Sequence, residues 1–118
     1  MINLRQRTLA AVAVAGAALA VIAGGALAQQ PVAARSAEIV IENFKFVPAT
    51  LTVAPGTSVT WSNHDEEPHN IVNVDQPRRF RSQAIDGGEK YTFVFDQPGT
   101  YKYICAVHPH MEGTVVVK

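Results

Sequence analysis

From Glu38 to Lys118 the chain never sustains the three-to-four-residue apolar repeat of a helix, and that excludes most architectures. Short alternating runs follow one another instead, each closed by a turn signal. Glu38–Glu42 is rich in β-formers, with Ile39 and Ile41 on one face, and Asn43–Pro48 carries Phe44 and Phe46 at alternate positions that point to the core. Leu51–Val53 ends at Pro55-Gly56, and Thr57–Asn63 then alternates cleanly with Val59 and Trp61 inward. His64–Pro68 reads as a charged loop, His69–Val74 as a resumed strand, and Asp75–Gly88 as a long polar loop with room for a helical turn. Lys90–Phe95, Thr100–Cys105 and Gly113–Lys118 complete the series, with Gln97-Pro98-Gly99 turning the chain between the first two. The pattern predicts an all-β fold, an antiparallel-rich sandwich of seven or eight short strands.

The first 28 residues stand apart. Arg5 and Arg7 give a basic start, an uncharged Ala/Val/Leu run extends from Thr8 to Ala28, and Ala26-Leu27-Ala28 offers small residues for cleavage. That is the layout of a secretory signal peptide cut after Ala28, with an uncleaved anchor as the competing reading. Gln6 separates the two arginines, so a twin-arginine signal is not supported. Residues 29–37 form a short polar tether, and 38–118 a single domain. The 90 residues left after cleavage suffice for one core, burying roughly 60–70% of the unfolded chain's surface, and leave no room for a separate catalytic domain. Losing Arg5 and Arg7 leaves eight basic against ten acidic side chains, a formal balance of −2. So mild a charge gives no reason to expect nucleic acid.

The chain has one cysteine, Cys105. In an exported protein it has no internal disulfide partner, and a bare thiol in an oxidising compartment is a liability that metal coordination removes. Cys105, His108 and Met111 stand three residues apart on one seven-residue turn between two strands, and His69 follows Pro68 far upstream. A compact loop can aim three such side chains at one point, whereas a strand sends alternate residues to opposite faces. Two imidazoles, a thiolate and a weak thioether make the donor set of a blue-copper electron-transfer centre. Structural zinc sites prefer several thiolates and catalytic ones keep a water position, so Met111 argues against zinc. The expected cofactor is therefore one copper held by His69, Cys105, His108 and Met111, with no catalytic residues. Asn63 stands where it can link the two ligand-bearing segments. His64 and His110 read as solvent-facing loop residues.

The runs Thr57–Asn63, Pro68-His69-Asn70 and Gly99–Met111 together resemble the cupredoxin family, and the resemblance covers Phe44 to Lys118. Within that family the Cys-x2-His-x2-Met loop is similar to that of the amicyanins. The resemblance implies a Greek-key β-sandwich with His69, Cys105 and His108 as strong copper ligands and Met111 as the weak axial one. It also implies that Asn63 is the family's loop-linking asparagine and Tyr101 its tyrosine corner. Two features depart from the amicyanin pattern: the segment before Glu38 is short, and His110 stands where a bulky apolar residue is expected. The function expected is a small periplasmic, monomeric carrier that takes single electrons from one transient protein partner to another. A periplasmic copper carrier or storage protein with the same ligands is the rival. His108 is expected to be the exposed ligand, edged by Ala106, Val107, Pro109 and Pro68. The charges of Asp65-Glu66-Glu67 and of Arg78, Arg79 and Arg81 read first as solvated loop charge, with long-range steering of a partner as the alternative.

Overall fold

The computed structural model describes Gly16 and residues 35–118; the expected signal peptide and most of the tether lie outside the described residues. Among the described residues every regular element is a strand: β1 Ser36–Glu42, β2 Lys45–Val47, β3 Thr50–Val53, β4 Thr57–Asn63, β5 Val72–Asn73, β6 Lys90–Phe95, β7 Gly99–Ile104 and β8 Glu112–Val117. They form two four-stranded sheets, ordered β2-β1-β4-β6 and β3-β8-β7-β5. Pairing is parallel between β1 and β4 and between β3 and β8, and antiparallel elsewhere. This is the all-β sandwich that the alternation implied.

The period of two decides which side chains meet. Ile39, Trp61 and Tyr91 are direct neighbours across β1, β4 and β6, so their side chains share the inner face. Ile39, Ile41, Val59, Trp61, Tyr103 and Val115 are fully buried. Trp61 sits at the centre, its ring 5.4 Å from Tyr103, 5.7 Å from Tyr91 and 5.9 Å from Phe80. Pro55-Gly56 makes its turn as expected: Gly56 has φ 88° and Thr57 N donates to Ala54 O, a geometry that glycine adopts without penalty. Tyr101 Oη donates to Gln97 O at 2.7 Å, which is the tyrosine corner.

Three expectations need correction. β1 starts at Ser36 rather than Glu38, because Ser36 and Ala37 pair with Ser58 and Val59 of β4, a long-range pairing that local β-propensity does not reveal. The strand expected over His69–Val74 shrinks to Val72–Asn73, because His69 and Ile71 pair instead with Ile85 and Ser82 of the long loop. Phe44 is not a core residue: it is 37% exposed, since Asn43 and Phe44 take positive φ values of 52° and 58° and form a two-residue hairpin turn between β1 and β2. Only Phe46 of the pair is buried.

Tyr103 lies directly opposite Gly113 across β7 and β8, and a Cβ added to Gly113 would overlap the Tyr103 ring and hydroxyl. Glycine is therefore required there by close approach. Burial pushes the Tyr103 phenol up to about 12, tempered by the nearby Trp61 side chain, and neither Tyr103 Oη nor Trp61 Nε1 makes a hydrogen bond. Gly113→Ala is expected to destabilise the apoprotein by about 1–3 kcal/mol through overpacking. Adding Tyr103→Phe removes one of the overlapping atoms and an orphaned hydroxyl, so the double variant should recover part of the loss in urea unfolding. Simple additivity of the two changes would contradict this account.

Candidate metal centre

The parallel pairing of β1 with β4 and the antiparallel pairing of β5, β7 and β8 bring three connections to one end of the sandwich. They are the Asn43-Phe44 turn, the loop from His64 to Asn70, and the Cys105–Met111 loop. Cys105 N donates to Met111 O at 3.1 Å and Met111 N to His108 O at 2.8 Å, so the last of these is closed upon itself. His69 is fixed by a two-way backbone pairing with Ile85, N to O at 3.1 Å and O from N at 2.8 Å.

His69, Cys105 and His108 converge at one point. Cys105 Sγ lies 3.8 Å from His69 Nδ1 and 3.9 Å from His108 Nδ1, and the donor atoms of the three all fall within 4.8 Å of one another. Cys105, His69 and Met111 are buried, whereas His108 is half-buried. One thiolate beside two imidazoles, with the thioether of Met111 buried in the same core cluster as Cys105, is a donor set that fits copper better than zinc.

Asp65 is a residue of the site that the sequence does not single out: within Asp65-Glu66-Glu67 it reads as ordinary loop charge, yet it contacts His69. Its side chain is 9% exposed and its Oδ2 lies 2.9 Å from His69 Nε2. The carboxylate accepts, so Nε2 carries the proton and Nδ1 turns its lone pair towards Cys105 Sγ. Asp65 Oδ1 also accepts from Asn43 N at 2.7 Å and Oδ2 from Phe44 N at 3.0 Å. Burial pushes the Asp65 carboxyl up, but hydrogen bonds from Phe44 N, His69 and Asn43 N outweigh it and leave the group below its ordinary value. No local signal marks Asp65, since a charge run reads alike whether solvated or bonded.

Asn63 does not join the two ligand-bearing segments. Its amide donates to Glu67 O and Ile85 O, and its Oδ1 accepts from Asp65 N, so it braces the His69 side alone. The link is made by Asn70, whose Oδ1 accepts from Ala106 N at 2.7 Å. Each of these residues directly follows a candidate ligand, so the bond ties the two ligand segments together. Ala106, Val107 and Pro109, which flank His108 in the loop, are exposed, as are Pro68, His64 and His110.

An all-β sandwich that gathers one buried thiol and two imidazoles at its end defines the cupredoxin class of copper protein. Residues 33–118 match the family described as copper binding proteins, plastocyanin/azurin family, and this chain belongs to it, with copper as its cofactor. It is 36% identical to Amicyanin-alpha from Methylorubrum extorquens over 98% of this chain and 100% of that protein. A purple cupredoxin from Nitrosopumilus maritimus has a similar fold, with TM-score 0.65 and 35% identity over 70% of this chain and 99% of that one. A reduced amicyanin variant is also similar, with TM-score 0.68 and 31% identity over 74% of this chain and 86% of its own.

Proposed function

We propose that this protein carries single electrons between transient protein partners by cycling one copper ion between Cu(II) and Cu(I), and that it is not an enzyme. His69, Cys105 and His108 would hold the ion most strongly, with the Met111 thioether as a weak fourth donor. The observation that carries this reading is the convergence of His69 Nδ1 and His108 Nδ1 on Cys105 Sγ at 3.8 and 3.9 Å.

Bound copper supplies the two oxidation states between which the electron is stored. The chain's contribution is a site that needs little rearrangement. Cys105 and Met111 are locked by the closed loop, His69 by Ile85 and Asp65, and the two ligand segments by Asn70. Thiolate and thioether suit the reduced ion while imidazole serves both states, so one fixed set of donors is a compromise acceptable to each. The half-buried edge of His108 offers the route in and out. Its loop neighbours Ala106, Val107 and Pro109, all exposed, allow the close, short-lived docking that redox partners require.

A copper-delivery role would need a metal open to exchange, and the burial of His69, Cys105 and Met111 disfavours it. The deciding experiment is repeated chemical reduction and reoxidation of the copper-loaded protein, followed by metal analysis. Retention of copper with an intense visible band returning at each oxidation is expected. Loss of copper on reduction would point to delivery instead. The export reading belongs to the same proposal: residues 1–28 direct the chain to the periplasm and are removed, which the mass of the protein recovered from that compartment tests.

A further inference from the structure

We propose that Phe44 is a positioning residue for the copper-binding histidines: its ring, anchored through Asp65, holds the His108 imidazole against Cys105. This deepens the proposed function and rests on it.

The argument begins with backbone strain. Asn43 and Phe44 both lie in the left-handed region, at φ 52° and 58°. Asparagine tolerates that region, but a bulky residue there is a genuine outlier, and glycine would make the same hairpin turn without penalty. Such a conformation persists only where its surroundings over-determine it, and it points to a use. The surroundings here are a single carboxylate. Asp65 Oδ1 takes the Asn43 N–H, while Oδ2 takes both the Phe44 N–H at 3.0 Å and the His69 Nε2–H at 2.9 Å. The strained turn and one ligand therefore hang from the same oxygen atom.

The result is a triangle of rings. Phe44 stands edge-on to His69 at 5.3 Å and 89°, and to His108 at 5.0 Å and 85°, with the two imidazoles 5.1 Å apart. These separations are those of favourable aromatic pairs. The two histidines are held unequally. His69 is buried and has Asp65 on its far nitrogen, whereas His108 is half-buried and its side chain has only the Cys105 contact through Nδ1 among the hydrogen bonds of the described residues. What opposes rotation of the His108 ring away from sulfur is therefore packing, and Phe44, at 5.0 Å, is a nearer aromatic neighbour than His110, at 6.3 Å.

The test uses Phe44→Leu, which keeps bulk and loses the ring, and Phe44→Tyr, which keeps the ring. Ring-nitrogen NMR of the copper-free protein reads the orientation of His108, and electrochemistry with electron paramagnetic resonance reads the copper-loaded form. In Phe44→Leu the population of a rotated His108 is expected to rise about tenfold, the worth of one aromatic pair. The reduction potential should rise with it, because a freed imidazole lets the reduced ion relax to its preferred softer donors. Phe44→Tyr should match the wild type in both. Identical His108 dynamics and potential in Phe44→Leu and wild type would overturn the proposal, as would a Phe44→Tyr that behaves like Phe44→Leu. Asp65→Asn, which removes one of the two acceptor oxygens, should loosen the same ring if Phe44→Leu does not fold; an unmoved His108 in that variant would count equally against the clamp. Failure of the wild type to form a coloured, reducible centre would sink the electron-carrier reading alone, since the copper-free arm stands independently.

Discussion

Cys105→Ala is expected to leave a folded sandwich that no longer forms an intensely coloured, reversibly reducible copper centre. The thiolate is the one donor in the set that gives a strong sulfur-to-metal bond, and no other described side chain replaces it at the meeting point of His69 and His108. The apoprotein should lose only about 1 kcal/mol, the ordinary cost of a point substitution. The contrast should appear in thermal melts with and without copper. A ligand that binds only the native state raises stability by RT ln(1 + [L]/Kd), about 4 kcal/mol at a thousandfold excess over Kd. Wild type should show that copper-dependent rise and Cys105→Ala should lack most of it. A coloured and reversible Cys105→Ala would remove the ligand assignment altogether.

Trp61→Ala is the largest expected loss of stability, about 3–5 kcal/mol as for other buried large-to-small changes. That is a serious fraction of the 5–15 kcal/mol typical of a whole domain. Trp61 is completely buried, and its ring lies within 6.3 Å of the centroids of Phe80, Tyr91, Phe95 and Tyr103, which come from β6, β7 and the long loop. Removing it therefore opens a cavity that several elements must close at once. Urea unfolding of the apoprotein should show a lower midpoint with an unchanged slope. A loss below 1 kcal/mol would mean that the inner face repacks freely and that Trp61 does not organise it.

Much of this could be read from the residues because the signals were local. Thr57–Asn63 and Lys90–Phe95 became β4 and β6 as expected, since alternation and a bounding turn suffice to define a strand. The nearness of Cys105 and His108 was readable for the same reason, both lying on one short loop. What stayed hidden depended on contacts between distant segments. The opening of β1 at Ser36 is decided by β4, and the shortness of β5 by the competing partners Ser82 and Ile85. Phe44 and Phe46 look like one face of a strand until the left-handed turn separates them. Asp65 and Asn70 belong to the site only because the sandwich brings Asn43 and Ala106 to them.

The sheet margins carry a consequence for behaviour at high concentration. Three of the four outer strands are short, at two to four residues, and offer a neighbouring molecule little backbone to extend. The fourth, β6, is six residues long, with Val94 46% exposed. Unpaired strand edges are templates for intermolecular pairing. Aggregation by strand addition thus has a single long rail to follow, and it is Lys90–Phe95.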